Sequence, residues 1–197
     1  VIAYDAELNI AIYEWIEGNH LQSVENEHID QALNFIKILQ DIETPEFSKP
    51  ASEACTSAEQ LFHQIEERHK KLDSIENNIL QNFLNTIFKP LYLDVKNWST
   101  QQWPANNFRE ILATAKQTLS PSDFGIHNSI MRSDGTLCFL DLEYFGWDDP
   151  VKLIADFIWH PAMTLNDDHK KRWVKNSFLI FKNTEEIQQR FHAAWPL

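Results

Sequence analysis

Residues 121–143 read PSDFGIHNSIMRSDGTLCFLDLE, and this stretch decides how the surrounding chain is expected to fold. Within it, Ser129–Met131 and Leu137–Leu140 are short runs with a strong preference for strands. Between them stands Asp134-Gly135, a dipeptide that favours the tight turn of a β-hairpin. The stretch therefore predicts a β-hairpin that directly follows a loop of polar residues.

Three polar side chains in this stretch have spacings that fit phosphoryl transfer. Asn128 lies five residues after Asp123, and Asp141 lies thirteen residues after Asn128, beyond the hairpin. Phosphoryl transfer needs a carboxylate that orients the attacking hydroxyl and accepts its proton, and oxygen ligands that hold Mg²⁺ against the nucleotide phosphates. Because a hairpin returns the chain to its starting point, we expect Asp141 beside Asn128. Taken singly, each residue has a structural alternative, an Asx-rich turn for the first two and a buried ion pair for Asp141.

The stretch resembles the aminoglycoside phosphotransferase and choline kinase-like family, which is related to protein kinases. The resemblance rests on the Asp-x4-Asn spacing, on Asp134-Gly135, and on the segments Leu140–Glu143 and Gly146–Pro150. It implies the C-terminal lobe of a protein kinase-like fold. It also implies an ATP- or GTP-dependent, Mg²⁺-dependent phosphotransferase that acts on a hydroxyl of a small molecule such as an aminoglycoside, a sugar or a choline-like acceptor.

The resemblance also implies roles for single residues. Asp123 matches the catalytic base, Asn128 matches one magnesium ligand, and Asp141 matches the second, main magnesium ligand. Glu143 stands where the family often has an acidic residue, and we assign it a supporting role. His127, inside the same loop, either orients a phosphate or simply packs.

The sequence departs from the family pattern at two places. Pro121-Ser122 precedes Asp123 where His-Gly is usual, and Gly125 stands where a second His is common. These departures are the reason for an alternative hypothesis, in which the chain is a catalytically inactive kinase-like domain that serves as a binding or scaffold module. The retention of all three metal-chemistry residues favours the enzyme.

Asp123-Phe124-Gly125 also spells the metal-binding triplet of protein kinases. That reading requires a catalytic Asp roughly eighteen residues upstream. Position 105 is Ala, and no Asp stands between Pro104 and Phe108. We therefore reject this register.

The N-terminal residues resemble the hinge strand between two kinase-type lobes. Residues 11–16 are β-prone and run into Glu17-Gly18, which predicts a strand with no partner upstream. The resemblance implies that the backbone at Glu14, Trp15 and Ile16 binds the adenine of the nucleotide. A nucleotide lobe carrying a phosphate-binding Lys is then expected before the hinge, but the first Lys is Lys37.

We accordingly interpret residues 1–18 as the remnant of a nucleotide lobe with its hinge, and residues 19–197 as a helical catalytic lobe. The chain is read as a truncated fragment, for which we expect little or no turnover. Within the lobe, apolar residues at helical spacing predict six helical segments, at 24–42, 57–75, 77–98, 108–118, 150–160 and 167–181. Residues 57–98 are predicted to form a helical-hairpin insertion that walls the acceptor site. The predicted class is α+β, mainly α.

Other side chains were weighed as site candidates. Acidic residues of the insertion, among them Glu66, either attract a cationic acceptor or form a solvated face. Of the seven tryptophans, Trp147 is the one close enough in sequence to Asp141 to be an acceptor-stacking candidate. His160 precedes Pro161 at a helix end. A histidine cation there is stabilised by the helix dipole, and this explains the residue without a role in the site.

Composition limits the function classes. Seventeen Lys and Arg stand against 29 Asp and Glu, for a formal net charge of −12, which argues against a nucleic-acid partner. Two cysteines, at 55 and 138, form neither a metal motif nor a disulfide framework, and they favour a reducing cytoplasm. No apolar run reaches the ~18 residues that a membrane span needs. The partner predicted from the sequence is a small molecule, and the oligomeric state is left open.

Overall fold

The computed structural model describes residues 2–42, 49–104, 107–182 and 184–196. The helices are α1 (Asn26–Gln40), α2 (Ala58–Asp73), α3 (Asn78–Phe83), α4 (Lys89–Gln102), α5 (Pro150–Trp159), α6 (Asp167–Ser177) and α7 (Thr184–Ala194). The strands are β1 (Ala3–Asp5), β2 (Ile10–Ile12), β3 (Thr118–Ser120), β4 (Ser129–Met131), β5 (Leu137–Phe139) and β6 (Gly146–Asp148). The predicted α+β class with mainly helical content is confirmed. Across the described ranges, no helix is both long and apolar enough to cross a membrane.

The predicted hairpin is present as β4 and β5. The two strands are antiparallel, with Ile130 opposite Cys138. Gly135 has φ +83°, in the left-handed region that glycine adopts without strain, and its N–H donates to the carbonyl of Arg132 at 3.0 Å. The side chain of Asp134 accepts the N–H of Thr136 at 2.9 Å and completes the turn. The predicted hairpin turn at Asp134-Gly135 is therefore confirmed.

The N-terminal prediction was wrong in two respects. The strand is Ile10–Ile12 rather than residues 11–16, and it does have an upstream partner, since β1 pairs with it antiparallel. The sequence analysis missed β1 because it is only three residues long and its turn contains no Gly; Asn9 supplies the positive φ of 52° instead. Both strands are exposed.

Helix α2 begins where its capping residue predicts. The Ser57 hydroxyl accepts the N–H of Gln60 at 3.2 Å, as expected. The Gln60 side chain in turn accepts the N–H of Thr56 at 2.7 Å, one residue earlier than in a standard capping box. The predicted end of α1 at Thr44-Pro45 lies outside the described residues.

The segment after α2 is helical almost throughout. Between α3 and α4 the backbone widens to a π-helical stretch over Leu84–Phe88, and α4 continues with Pro90 in its first turn. Pro90 has no N–H to donate, and the widened stretch lets the helix continue where a kink was expected. α2 and α4 lie side by side, because Tyr92 and Lys96 both bind Glu66, at 2.9 and 2.5 Å.

The predicted helix at 108–118 does not form. The described part of this segment is turns, a short 3-10 helix at Thr114–Lys116 and then β3. Its backbone bonds to the start of α2 instead: Glu59 donates its N–H to the carbonyl of Phe108, and Leu112 donates to that of Thr56. Tertiary hydrogen bonds thus replace the helical ones, and they place β3 next to β6, a pairing the sequence did not reveal.

The core lies where α1, α5, α6 and α7 meet. Ile29 and Ile36 of α1 are fully buried, as the apolar spacing predicted. At the centre, the rings of Phe157 (α5) and Trp173 (α6) stack with 3.7 Å between centroids. The indole N–H of Trp173 donates to the carbonyl of Ile154 at 3.1 Å, so this large side chain is buried without an unsatisfied donor.

Candidate active site

The loop that carries Asp123 is fixed to the core by the residue that follows it. Phe124 is buried, and its ring lies 5.2 Å from that of Phe35 on α1, 4.9 Å from that of Phe139 on β5 and 5.8 Å from that of Phe157 on α5. Ile126 is buried as well. Asp123 stays partly exposed just before this buried anchor, and His127 follows it in a short 3-10 helix, Ile126–Asn128, with little of its side chain exposed.

The backbone around Asp123 is constrained. Ser122 has φ +69°, a left-handed conformation that costs a non-glycine residue energy and is concentrated at functional sites. It is held there because its hydroxyl donates to the carbonyl of Ser52 at 2.8 Å and its carbonyl accepts the N–H of Phe124 at 2.8 Å. These two hydrogen bonds fix the backbone directly before Asp123.

Glycine is required at position 125 because of the packing around it. A Cβ at this position would lie 2.6 Å from Nδ1 of His127 and 2.6 Å from Sδ of Met163. The backbone there is extended, so the requirement for glycine comes from space and not from its φ. The His that is common at this position in the resembled family would not fit beside His127.

Asp123 is surrounded by nitrogen atoms. Its Oδ1 lies 2.9 Å from Nε2 of His160 and 3.3 Å from Nε2 of His127. Its Oδ2 lies 3.3 Å from Nδ2 of Asn128, and the same Nδ2 donates to the Asp123 carbonyl at 2.9 Å. The Asp123 side chain remains 39% exposed, so a small molecule has access to it.

The hairpin brings Asp141 back to this loop. The N–H of Leu140 donates to the carbonyl of Asn128 at 2.8 Å, extending the β4–β5 ladder by one step. Asp141 follows at once, near enough to His127 for its carboxylate to act on the pKa of that ring. It is exposed and has φ +58°, a left-handed conformation that Asp tolerates better than most residues. Glu143 lies in the turn beyond and binds the Tyr144 hydroxyl, which together with nearby carboxylates raises the pKa of Tyr144.

The oxygen atoms of Asn128 and Asp141 fit a magnesium ion. With Nδ2 of Asn128 committed to Asp123, its Oδ1 is left as a ligand, and Asp141 offers a carboxylate. Mg²⁺ is bound through oxygen, commonly by one or two protein groups with phosphates and water completing the shell. The three-residue cluster of potential metal ligands that the described residues form is a different one, Asp123 with His127 and His160, and its imidazole nitrogens suit transition metals better than Mg²⁺.

A cavity of about 790 Å³ opens beside Asp123. Trp159 and Trp195 line one side, with stacked rings 5.8 Å apart, and Tyr144 lies nearby. Glu53 and Arg68, which form an ion pair, also line it. The cavity is therefore large enough for a small organic molecule, with both aromatic and charged surfaces.

The cavity wall next to α5 holds a buried charge network. Asp148 accepts the N–H groups of Cys55 and Asp149 at 2.9 and 2.7 Å, and Lys152 lies 3.6 Å from its other oxygen and 2.5 Å from Asp156. Burial raises the pKa of Asp148 to about 6, although the Lys152 ammonium opposes the rise. Burial likewise raises the pKa of the Cys55 thiol to about 12, which keeps it protonated and unreactive.

The other predicted site residues lie elsewhere on the surface. Glu14 and Trp15 are exposed, Trp15 by 81%, and Ile16 is half-buried; all three are in extended, irregular chain. Trp147 lies in β6, where its backbone bonds to Lys49 and Ala51, and it is not among the described residues that line the cavity. Their binding roles stay predictions.

The sequence analysis missed one residue of the site. His160 was explained by the helix dipole, yet its imidazole contacts the proposed catalytic base. It lies 37 positions from Asp123, and no local spacing links the two. The available signal was its place at the end of the helix that follows Gly146–Pro150, a segment already tied to the site.

Comparison with known proteins gives little. No protein-family model matches the chain, and no curated protein matches it. Among solved structures, an ethanolamine kinase from Plasmodium vivax is similar, with 18% identity and a TM-score of 0.47 over 92% of this chain and 54% of that one. The chain thus spans about half the length of that kinase. The function must be argued from the residues of the site.

Proposed function

We propose that the protein is a phosphotransferase, ATP- or GTP-dependent, that phosphorylates a hydroxyl of a small molecule. The observation that supports the proposal is that Asp123 lines a cavity and is hydrogen-bonded by Asn128, while the hairpin returns the chain to Asn128 one residue before Asp141. Residues from the loop and from the far end of the hairpin supply the chemical types that phosphoryl transfer requires.

In this proposal Asp123 binds the acceptor hydroxyl and takes its proton as the oxygen attacks the terminal phosphorus and the bond to the leaving diphosphate breaks. Asn128 holds Asp123 in place through its amide N–H, and its Oδ1 and the carboxylate of Asp141 would hold Mg²⁺. When bound, Mg²⁺ supplies positive charge that offsets the charge developing on the phosphoryl oxygens. The cavity with Trp159 and Trp195 excludes water from the acceptor hydroxyl and positions it.

The acceptor remains defined by class only. Glu66, one of the residues considered for attracting a cationic acceptor, binds Lys96 and Tyr92, and its pKa is lowered chiefly by the hydrogen bond from Lys96. Its charge is thus neutralised locally. The cavity offers stacking surfaces and hydrogen-bonding groups that suit the class of small polyhydroxylated or amine-bearing molecules.

The test is phosphate transfer from labelled ATP to a panel of aminoglycosides, sugars and amino alcohols, measured on the longest natural form that contains these 197 residues. We expect Mg²⁺-dependent product, and a loss of at least about 100-fold in kcat for Asp123→Asn, because removal of a general base costs about 10² to 10⁴. Asp134→Asn, in the exposed hairpin turn, is the matched control and should be fully active. Equal activity of the two variants would remove Asp123 from the mechanism.

A further inference from the structure

The two histidines beside Asp123 form one unit. The rings of His127 and His160 stack with 3.9 Å between centroids and 8° between planes. Each presents Nε2 to the same oxygen, Oδ1 of Asp123. What this unit does depends on where each ring carries its proton, since a neutral imidazole donates from one nitrogen and accepts at the other.

The proton of His160 is placed by a backbone amide. The N–H of Ala162 points at Nδ1 of His160 at 3.2 Å. A backbone N–H can only donate, so Nδ1 must carry a lone pair, and the ring proton lies on Nε2. His160 therefore donates a hydrogen bond to Oδ1 of Asp123 at 2.9 Å.

The proton of His127 is placed by the carboxylate. Its Nδ1 is buried and has no hydrogen-bond partner among the described residues, whereas its Nε2 lies 3.3 Å from Oδ1 of Asp123. An ionised carboxylate oxygen can only accept, so this contact is a hydrogen bond when Nε2 carries the proton. His127 thus also carries its proton on Nε2, aimed at Oδ1 of Asp123. Burial, and then the neighbouring His160, lower the pKa of His127, in keeping with a neutral ring.

Resting on the function proposed above, we propose that His127 and His160 are positioning residues that fix the Asp123 carboxylate by donating two hydrogen bonds to Oδ1, so that Oδ2 is the oxygen that takes the acceptor proton. Oδ1 is saturated by the two donors. Within the part of the chain that the structure describes, Oδ2 has only the 3.3 Å contact from Asn128, which leaves a lone pair for a hydroxyl.

The same arrangement disfavours a metal ion among these three residues. A cation would need the Nε2 lone pairs, and freeing that of His160 requires a proton shift to Nδ1 and loss of the bond from Ala162.

The first test needs no turnover and uses the 197-residue chain labelled with ¹⁵N in its histidines. Long-range ¹H–¹⁵N correlation spectra near neutral pH report the tautomer of each ring, with His127→Gln and His160→Gln used for assignment. We expect both rings as the Nε2–H tautomer and no specific Zn²⁺ binding to them. A proton on Nδ1 of either ring, or Zn²⁺ bound by both, would overturn the proposal even if the protein is a kinase.

The second test measures phosphate transfer by two variants of His160, made in the longest natural form that contains these 197 residues. The side-chain amide of Gln puts an N–H close to the position of Nε2, whereas Leu fills the space without a donor. We expect His160→Leu to lower kcat about 10- to 100-fold, the cost of a misplaced base, with the nucleotide KM unchanged. His160→Gln should recover most of that loss.

Equal losses in the two variants, or a change in KM alone, would contradict a positioning role. Half-buried His69 of α2, which stacks on Phe88 away from the site, supplies the control variant His69→Gln, which should match the wild type. Absence of turnover in the wild type would count against the phosphotransferase itself, and the tautomer measurement would still decide the role of the histidines.

Discussion

At the scale of single residues, Asp123 illustrates what contacts add to a motif. Spacing alone predicted Asp123, Asn128 and Asp141 as one group, and the hydrogen bonds of Asn128 to Asp123 join the first two directly. The structure adds His127 and His160 on the opposite oxygen of the carboxylate. In the role proposed above, Oδ1 accepts from the two histidines and Oδ2 is left for the acceptor hydroxyl. This difference depends on the tautomers of the histidines, which no sequence pattern encodes.

Asp148 provides a residue-scale prediction on pH. Its pKa rises from 3.8 to about 6 on burial, so the folded protein binds this proton more tightly than the unfolded chain. The group's contribution to stability is therefore fully present below pH 3.8 and is lost as the pH rises through about 6. Asp148→Asn removes the titration and keeps an oxygen for the two backbone N–H groups.

The measurement is the free energy of unfolding in urea across this pH range. Relative to the variant, the wild type should lose about 3 kcal/mol between acid and neutral pH. Parallel stability curves for the two proteins would show that Asp148 titrates normally in the fold.

The grouping of Asp123, Asn128 and Asp141 could be predicted from the sequence because the three residues lie on one loop and hairpin. The sequence could not supply His160, because the contact depends on how α5 packs against the loop. Nor could it explain Gly125, whose requirement is the space taken by His127 and Met163. Residues joined by short chain segments were predictable, and residues joined by packing were not.

At the scale of elements, helix starts and the Asp-Gly turn were predicted well, since each depends on side chains within a few residues. Ser57 and Asn166 cap α2 and α6, at the starts of two segments predicted to be helical. The helix predicted at 108–118 does not form, and strands β3 and β6 were not predicted. In both cases the backbone hydrogen bonds run to segments that are distant in sequence, which a local pattern does not reveal.

The capping of α2 can be tested by Ser57→Ala. The variant loses the hydroxyl that accepts the N–H of Gln60, and the unfolding free energy should fall by about 1 kcal/mol. Chemical denaturation measures the change. Ser74→Ala, at the exposed C-terminal end of α2, is the control and should fall by less; an equal fall would mean that the N-cap bond contributes nothing.

The pairing of β6 with residues 49–51 depends on a glycine. A Cβ on Gly146 would lie 2.4 Å from the backbone of Pro50 and Ala51, which cannot move aside as a side chain can. Gly146→Ala should lower the unfolding free energy by at least about 2 kcal/mol, in the range of overpacking. Gly135→Ala meets no atom within 4 Å and should cost only the strain of its positive φ, about 1 kcal/mol.

Denaturation of the two variants side by side decides the point. If Gly146→Ala were as stable as Gly135→Ala, the close approach of the two backbone segments would be wrong.

At the scale of the whole molecule, α7 is joined to the start of α5 by a buried ion pair. Arg190 binds the carboxylate of Asp149 with both side chains buried, and its guanidinium lies 5.6 Å from the Trp103 ring centre. Asp149 also caps α5 by accepting the N–H of Val151. One contact thus links three parts of the fold near the cavity.

Arg190→Leu should therefore destabilise the whole fold by about 3 to 5 kcal/mol, because it leaves a buried carboxylate without its partner. Thermal melting monitored by circular dichroism measures the loss. Lys116→Leu breaks the exposed pair with Glu186 and should change stability by less than about 1 kcal/mol. Similar melting temperatures for both variants would contradict the buried-pair account.

The central claim concerns the whole site, and Mg²⁺-ATP binding tests it most directly. We would titrate Mg²⁺-ATP calorimetrically into the longest natural form that contains these residues, with Asp141→Asn as the variant and Asp134→Asn as its control. The account predicts Mg²⁺-dependent binding by the wild type and the control, and its loss in Asp141→Asn. Failure of all three proteins to bind would contradict the phosphotransferase site and favour a kinase-like binding module.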